Sequence, residues 1–303
     1  MTDERLLDEL RPYAFSIAYR MLGSVAEAED VVQEALLRVN GALEAGVRLE
    51  SPRAYIATVT TRLAIDLLRS ARVRREQYVG EWLPEPIVTD DATDPARQAE
   101  IADSLSLAFL VLLESLSAEQ RAALLLRDVF AYEYGEIADI LDTSADNARQ
   151  LATRARRHVA ERRPRFEVSP VEHRELARRF FSAARDGDLS GLEELLAGDV
   201  VLHGDGGGKV PALARAVHGR EHVARTLGAW WRQGRRLGGI ARLVDVNDQP
   251  GVLLLDSDGR PVGVMALEIV EGVVISVRSI VNPDKLRHLG SASHVGEQLP
   301  PAS

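Results

Sequence analysis

Apolar residues recur at three- and four-residue spacing through the first half of the chain, whereas strand-like apolar runs dominate its last third. The first pattern predicts three helices, at residues 3–22, 24–45 and 52–75, separated by glycines and by Pro52. Ser24 is a candidate N-cap, because Glu27 follows it at the spacing of a capping box. The N-terminal part is therefore predicted to be an all-α domain.

A second helical segment, at about residues 94–163, contains a helix-turn-helix pattern. We predict its first helix at 134–141, a break at Asp142-Thr143, and a second helix at 145–161 that Ser144 can cap. The second helix has an apolar seam formed by Ala148, Leu151, Ala152, Ala155 and Val159. Its opposite face carries Asn147, Arg149, Gln150, Thr153, Arg154, Arg156 and Arg157.

This polar face indicates DNA binding, because arginine and amide side chains can donate to base edges and arginine neutralises phosphates. Base edges or adjacent phosphates are the predicted contacts of Arg149, Gln150 and Arg154. Phosphates are the predicted contacts of Arg156 and Arg157. The alternative, a solvated surface helix, does not account for the coincidence of the turn, the donors and the excess of positive charge.

The overall charge is acidic, at −9, with 37 Lys and Arg against 46 Asp and Glu, which is unusual for a protein that binds nucleic acid. The charge is segregated along the chain, because residues 62–75 carry five arginines and one acid while residues 76–103 carry eight acids and one arginine. Within the acidic part, residues 81–87 contain two prolines, which favour an extended conformation. Basic modules are thus separated by an acidic linker.

Composition excludes several classes of protein. The chain has no cysteine, which excludes disulfides, a cysteine-ligated zinc and a thiol redox sensor within it. Its 303 residues predict two or three domains, and 46% hydrophobic residues suffice for their cores. No segment is apolar enough for a membrane span and no signal peptide is recognised, so a cytoplasmic protein is expected. No cofactor and no metal site are predicted.

The last third of the chain changes character. Helices are predicted at 171–185, 189–197 and 220–234, and strands at 240–247, 251–256, 261–269 and 273–281. Short turns between the strands favour an antiparallel meander, and helices followed by a curled sheet predict an α+β cone. The tail after Gly290 is expected to be mobile.

Residues 1–163 resemble extracytoplasmic-function sigma factors of the principal sigma family. The resemblance rests on residues 19–24 with 27–34, 52–55 with 62–69, and 116–121 with 134–138. It implies a helical domain 2 that binds RNA polymerase and reads and melts the −10 element, and a helix-turn-helix domain 4 that reads the −35 element. Two positions depart from the usual pattern of the family: Tyr55, where many members have tryptophan, and Asp142, where glycine is usual.

The resemblance also implies residue roles in domain 2. The predicted contacts to polymerase are Asp30, Gln33 and Glu34. The predicted contacts to the −10 element are Tyr55, Arg62, Arg69, Arg72, Arg74 and Arg75. The arginines can neutralise phosphates and hold a separated strand, and a tyrosine can stack on a base. The alternatives are a merely solvated acidic face and a Tyr55 that belongs to the core.

The C-terminal part resembles SnoaL-like domains, with residues 218–223 similar to the segment that opens their third helix. Such a cone can enclose a pocket for a small ligand, and some relatives are cyclases or isomerases. The candidate catalytic residues would be His203, Asp205, His218 and Trp230. A sigma-like regulator whose C-terminal domain is a sensor or an enzyme therefore remains the alternative.

Three further segments resemble the signature segments of sigma factors that carry a fused SnoaL-like extension. They are Trp82, Leu83, Pro84, Glu85 and Pro86; Asp205, Gly206, Gly207, Gly208 and Lys209; and Asn282, Pro283, Asp284, Lys285 and Leu286. We expect these segments to meet, with Trp82 docked on the C-terminal domain, because a docked indole buries a large apolar area. Glycines in the second segment would let the backbone approach its partner closely.

The predicted organisation is domain 2 at 1–78, an acidic linker at 79–103, domain 4 at 104–163, a SnoaL-like regulatory domain at 168–289 and a flexible tail at 290–303. The predicted protein is a non-enzymatic sigma factor that binds core RNA polymerase and promoter DNA and has no membrane contact. Its C-terminal domain is expected to contact the sigma domains or the linker and to regulate activity in cis.

Overall fold

The computed structural model describes residues 3–76, 78–89, 106–160, 170–292 and 297–299. The chain divides into two units, each built from two stretches of sequence. The helical unit comprises Met1–Gln77 and Phe109–Arg163, and the α+β unit comprises Tyr78–Ala108 and Pro164–Ser303. The linker residues that the structure describes therefore belong with the C-terminal part of the chain.

The described residues before the C-terminal part form seven helices, and the five whose bounds were predicted agree with the prediction within a few residues. They are α1 (Asp3–Leu22), α2 (Val25–Glu44), α3 (Pro52–Glu76), α4 (Leu107–Leu113), α5 (Ala118–Asp128), α6 (Tyr134–Leu141) and α7 (Ala145–Ala160). The backbone N–H of Glu27 donates to Ser24 Oγ over 3.2 Å, and that of Asn147 donates to Ser144 Oγ over 3.2 Å. Both predicted N-caps are thus formed.

The helix-turn-helix turn depends on the residue that replaces glycine. Asp142 ends α6 in the left-handed region, with φ 51° and ψ 56°. Aspartate adopts this conformation more readily than most residues, which explains how the turn forms without glycine. The buried side chains of α6 and α7, among them Ile137, Ile140, Ala148 and Ala152, then form one small core with α5.

In the described part of the α+β unit, three helices pack on one mixed sheet. The helices are α8 (Pro170–Asp186), α9 (Leu189–Leu195) and α10 (Arg220–Arg236). The strands are β1 (Val88–Thr89), β2 (Leu196–Asp205), β3 (Val217–His218), β4 (Ile240–Val246), β5 (Gln249–Leu255), β6 (Pro261–Val270), β7 (Val273–Ile280) and β8 (Glu297–Gln298). A 3₁₀ helix spans Pro283–Ala292. Two helical domains followed by this α+β domain confirm the predicted fold class.

The sheet order is β1-β4-β5-β6-β7-β2-β3, with β8 also paired to β4. The four strands predicted as an antiparallel meander, β4 to β7, pair in that way. The core between sheet and helices is apolar and includes Phe180, Phe181, Leu227 and Val252, all completely buried.

Two pairings in this unit were not predicted. The helix predicted at 189–197 is present and ends at Leu195, after which the chain continues as β2, which pairs in parallel with β7. The expectation of a mobile tail after Gly290 is wrong for residues 297–299, because Glu297–Gln298 pairs with β4 and Leu299 N donates to Ala241 O over 2.9 Å. In both cases the partner strand is distant in sequence, so local patterns did not reveal the pairing.

Candidate functional site

The polar face of α7 is exposed at six of its seven predicted positions. Asn147 donates from Nδ2 to Thr143 Oγ1 over 2.8 Å, and Thr153 donates from its hydroxyl to the Arg149 carbonyl over 2.8 Å. The Arg149 guanidinium lies 5.1 Å from the ring centroid of Tyr134 and 3.6 Å from Asp146 Oδ1. These contacts orient the first turns of the helix while its outer face remains exposed.

Arg156 differs from the other arginines of this face. It is half-buried and donates from Nε to Asp128 Oδ2 over 2.9 Å and from Nη1 to the Tyr134 hydroxyl over 3.2 Å. The hydrogen bond to Asp128 raises the pKa of Arg156 above its usual range. Because its guanidinium joins α7 to α5 and α6, Arg156 positions the recognition helix within domain 4.

Two of the arginines predicted to contact the −10 element lie against domain 4. Arg62 donates to the carbonyl oxygens of Asp139, over 2.8 Å, and Ile140, over 2.9 Å. Arg69 forms an ion pair with Glu119 over 2.7 Å. Burial opposes ionisation of Glu119, but hydrogen bonds from its own backbone N–H, from Arg69 and from Ser117 outweigh that effect and lower its pKa. Tyr55 is half-buried, and the side chains of Arg72, Arg74 and Arg75 lie outside the described residues.

The joint between domains 2 and 4 centres on a buried arginine whose role the sequence did not reveal. Arg121, on α5, is 2% exposed and donates to the carbonyl oxygens of Met21 and Leu113, and to Glu114 Oε1 over 2.9 Å. Burial lowers the pKa of Arg121 to about 9, so the guanidinium is still charged at neutral pH. The Tyr13 and Tyr132 hydroxyls add a 2.8 Å hydrogen bond across the same joint. The sequence does show that Arg121 begins an otherwise apolar run after Gln120, and this position could have indicated a buried arginine.

The predicted polymerase contacts lie together on α2. Asp30, Gln33 and Glu34 are all exposed, and Glu34 accepts from Arg38 Nε over 2.8 Å. Leu37, one turn beyond Gln33, is 61% exposed, and it lines a shallow groove between α1 and α2 together with Gln33. Leu37 was not among the predicted residues.

The strongest cluster of polar contacts in the α+β unit surrounds Asp205. Its carboxylate is completely buried and accepts from the Tyr78 hydroxyl over 2.6 Å, from Leu83 N over 2.8 Å and from Lys285 Nζ over 2.7 Å. Gly207 N also donates to it, over 3.1 Å. We call residues 78–89 the strap. Asp205 thereby joins the strap, the end of β2 and the 3₁₀ helix.

Lys285 holds the strap through charge as well as through hydrogen bonds. Its ammonium is buried, donates to the Leu83 carbonyl, and lies 4.2 Å from the Trp82 ring centroid and 4.9 Å from that of Tyr78. Such distances are those of cation–π contacts, which are strongest where water is excluded. Burial and the neighbouring Asp205 carboxylate raise the pKa of Tyr78, so its hydroxyl remains a donor.

Close backbone approach explains the glycines of the second signature segment. Gly207 has φ +59°, and a Cβ there would lie 2.2 Å from Asn282 Nδ2. Gly208 has φ +69°, and a Cβ there would lie 2.9 Å from Val79 Cβ. Asn282 in turn donates from Nδ2 to the Tyr78 hydroxyl over 2.8 Å. Only glycine combines this backbone conformation with this space.

The rest of the strap is also held by the α+β unit. His203 Nδ1 lies 2.7 Å from Glu81 Oε1, and His288 Nε2 lies 2.8 Å from the Pro86 carbonyl oxygen. Ile87 and Asn247 exchange two hydrogen bonds of 2.9 Å, which lead into the pairing of β1 with β4. No sequence pattern indicated the partners of the two histidines or strand β1.

The four candidate catalytic residues do not form one site. His203 and Asp205 contact the strap, His218 is exposed on β3, and Trp230 lines a cavity beside α10. The described lining of that cavity includes neither a histidine nor Asp205.

No described helix is both long and apolar enough to cross a membrane.

Comparison with known proteins identifies the family. Sigma-70 region 2 matches residues 6–74 and Sigma-70, region 4 matches residues 106–159. The ECF RNA polymerase sigma factor SigJ of Mycobacterium tuberculosis is 41% identical over 287 residues, which cover 92% of this chain and 91% of that protein. The chain belongs to the ECF RNA polymerase sigma factors. It is a transcription initiation factor that binds RNA polymerase, as its resemblance to these factors implied.

Two further comparisons cover nearly the whole chain. The probable ECF RNA polymerase sigma factor SigI of Mycobacterium tuberculosis is 33% identical over 280 residues, which cover 91% of this chain and 92% of that protein. The crystal structure of Mycobacterium tuberculosis SigJ matches with a TM-score of 0.74 at 38% identity, covering 92% of this chain and 96% of that one. The similarity therefore includes the C-terminal α+β part as well as the sigma domains.

Proposed function

We propose that the C-terminal domain restrains this sigma factor in cis by holding the strap, and that release of the strap lets domains 2 and 4 separate to engage a promoter. The observation that carries the proposal is the buried Asp205 carboxylate, which binds Tyr78 and Leu83 of the strap. A buried carboxylate with several donors is costly to disrupt, so the strap is held firmly.

The strap limits reach because it connects the two sigma domains in the chain. Residues 78–89 follow α3 and precede α4, so they form part of the chain that connects domains 2 and 4. Fully extended, they could span roughly 40 Å at about 3.3 Å per residue. While the C-terminal domain holds them, that length is unavailable to the movement of domain 4.

Contacts within the helical unit support a closed resting state. Arg62 and Arg69 bind domain 4 through Ile140, Asp139 and Glu119, so the N–H groups used in these contacts are not available to phosphates of the −10 element. If domain 4 separated from domain 2, the guanidinium groups of Arg62 and Arg69 would become available to DNA. We infer that promoter binding and domain separation are coupled.

A purely regulatory C-terminal domain fits these contacts better than an enzyme. Asp205 and His203, the two candidate acid–base residues closest in sequence, are both engaged by the strap. A general base needs a proton within reach on a substrate, and a side chain enclosed by its own chain has none. We therefore propose that the protein is not a catalyst.

Run-off transcription with core polymerase tests the proposed restraint in the full chain. Trp82→Ala removes the ring beneath the Lys285 ammonium, and we expect more transcript than from the wild-type chain. Trp82→Phe keeps an aromatic face and serves as the matched control, with a smaller effect. Equal or reduced transcription by Trp82→Ala would contradict restraint by the strap.

We predict that the two classes of arginine on α7 differ in specificity. Arg154→Ala should weaken binding to a matched −35 site by about 1–3 kcal/mol, because arginine can donate two hydrogen bonds to guanine. Arg157→Ala should weaken binding to matched and scrambled sites alike, since phosphates are the same in both. Fluorescence anisotropy with the two duplexes measures this difference. If Arg154→Ala weakened binding to the matched and scrambled duplexes equally, Arg154 would not read a base.

The acidic edge of α2 provides a test of polymerase binding. The double substitution Asp30→Ala with Glu34→Ala should weaken capture by core polymerase at least tenfold without changing the melting temperature, since both side chains are exposed. Glu44→Ala, on the same helix but at its far end, is the control. Capture at wild-type strength by the double variant would place the polymerase contact elsewhere.

A further inference from the structure

A cavity in the α+β unit lies apart from the strap. It has a volume of about 610 Å³ and lies beside α10 and strands β4, β5 and β6. Pockets for small molecules typically have about 300–1,000 Å³. We propose that this cavity binds a flat, largely apolar small molecule that carries an anionic oxygen, such as an aromatic carboxylic acid.

The walls of the cavity are apolar. They are formed by Trp230, Trp231, Ile240, Ala241, Leu254, Leu255, Met265 and Leu299. Gly234, Gly238 and Gly239 also line it, so part of the wall is bare backbone. A cavity bounded by indole rings and by backbone without side chains favours a flat ligand, which can contact both closely.

The mouth of the cavity exposes large apolar side chains. Leu237 is 71% exposed and Val262 is 46% exposed, and both line the cavity. Single exposed apolar residues need no explanation, but two that border one cavity form a continuous apolar entrance. Such an entrance favours a ligand whose apolar part enters the cavity first.

A buried donor indicates an oxygen atom on the ligand. Trp231 is 8% exposed, and its indole Nε1 is buried without a hydrogen-bond partner among the described residues. Buried tryptophan N–H groups normally have an acceptor, because an unpaired donor in an apolar environment is unfavourable. Since Trp231 lines the cavity, a ligand oxygen is the acceptor that the cavity can admit.

Charge at the cavity favours an anionic oxygen. Arg185, Arg235 and Asp256 are the charged residues of its described lining. Asp256 Oδ1 already accepts from the backbone N–H groups of Asp258 and Arg260, each over 2.9 Å. Arg185 donates to Asp186 over 2.8 Å, whereas Arg235 acts on Asp186 only through its charge, so we assign Arg235 as the cation that binds the ligand.

Binding of two probes to the full chain tests this site. The probes are 2-naphthoate, which has an aromatic ring system and a carboxylate, and its neutral amide, naphthalene-2-carboxamide. We expect saturable binding of both by isothermal titration calorimetry, with the acid bound at least fivefold more tightly. Lack of saturable binding by both probes up to millimolar concentration would overturn the proposal, and equal affinities would overturn the preference for an anion.

Substitutions assign the contacts. Trp231→Phe keeps an aromatic wall but removes the N–H donor, and it should weaken both probes about tenfold. Arg235→Ala should weaken the acid alone, whereas Arg236→Ala, next to it on α10 and outside the cavity lining, should leave both affinities unchanged. Unchanged binding by Trp231→Phe would overturn the assigned donor.

A surface variant tests the same site in case Trp231→Phe does not fold. Leu237→Glu alters an exposed side chain at the mouth, so it should preserve the fold while weakening the acid several-fold by like-charge repulsion. Equal binding of the acid by Leu237→Glu and wild type would place the ligand elsewhere. None of these variants alters Asp205, Trp82 or Lys285, so this site can fail while the proposed restraint by the strap stands, and the reverse.

Discussion

Asp205→Ala should release the strap and lower the free energy of unfolding of the α+β unit by about 3–5 kcal/mol, because it leaves the buried Lys285 ammonium without its counter-charge. The backbone N–H of Leu83 also loses its acceptor. Urea unfolding measures the loss of stability, and hydrogen exchange of the peptide that contains Leu83 measures release of the strap. Both should change together, because one carboxylate makes both contacts.

Two controls separate this effect from a general loss of charge. Asp284→Ala removes an exposed partner of Lys209 and should cost at most about 1 kcal/mol without faster exchange at Leu83. Asp205→Leu combined with Lys285→Met removes both buried charges, so stability should partly recover although the groups that bind the strap are absent. Slow exchange at Leu83 in Asp205→Ala would show that Asp205 does not hold the strap.

Gly207→Val should also weaken the contact between the strap and the segment around Asp205. The added side chain meets Asn282 Nδ2, and valine disfavours the φ of +59° that position 207 adopts. The variant should exchange faster at Leu83 and give the same change in transcription as Trp82→Ala. It tests the strap without removing a charge.

Arg121→Met should open the joint between domains 2 and 4. The substitution leaves the Met21 and Leu113 carbonyls without this donor, at about 1–3 kcal/mol for each unsatisfied group. Because the chain has no cysteine, Glu29→Cys and Asp146→Cys provide two unique positions for spin labels, both exposed. The distance distribution between the labels should broaden and shift to longer values in the variant.

The control for the joint lies on the same helix. Arg127→Ala removes an arginine of α5 whose hydrogen bonds to the Tyr132 carbonyl and Glu133 remain within domain 4. It should leave the label distance at the wild-type value. A narrow, unchanged distribution in Arg121→Met, with helicity retained, would mean that Arg121 stabilises domain 4 without fastening it to domain 2.

The contacts between domains 2 and 4 suggest why a restrained strap would matter. Arg62 and Arg69 are held by hydrogen bonds and an exposed ion pair, which are individually weak in water. Phosphates could compete for these guanidinium groups once the domains are free to move. If the C-terminal domain restrains the strap as we propose, the shortened tether would favour the weak contacts over DNA, since it would raise the effective concentration of one domain at the other.

The sequence alone determined the helical parts and the exposed polar face of α7. Helix periodicity and capping residues are local signals, so α1, α2, α6 and α7 were predicted within a few residues. The antiparallel order of β4 to β7 was equally accessible, because short turns connect consecutive strands. Family membership followed from motifs that occupy contiguous stretches, and similarity to SigJ over 92% of the chain confirmed it.

Only the tertiary structure decided which distant residues meet. The parallel pairing of β2 with β7, the edge strands β1 and β8, and the bond from Arg121 to Met21 each join residues far apart in sequence. Local composition contains no information about such partners, because hydrogen bonding and burial depend on where the chain returns. For the same reason the sequence could propose Asp205 as a pairing residue, but only the fold brings its carboxylate to Leu83, Tyr78 and Lys285.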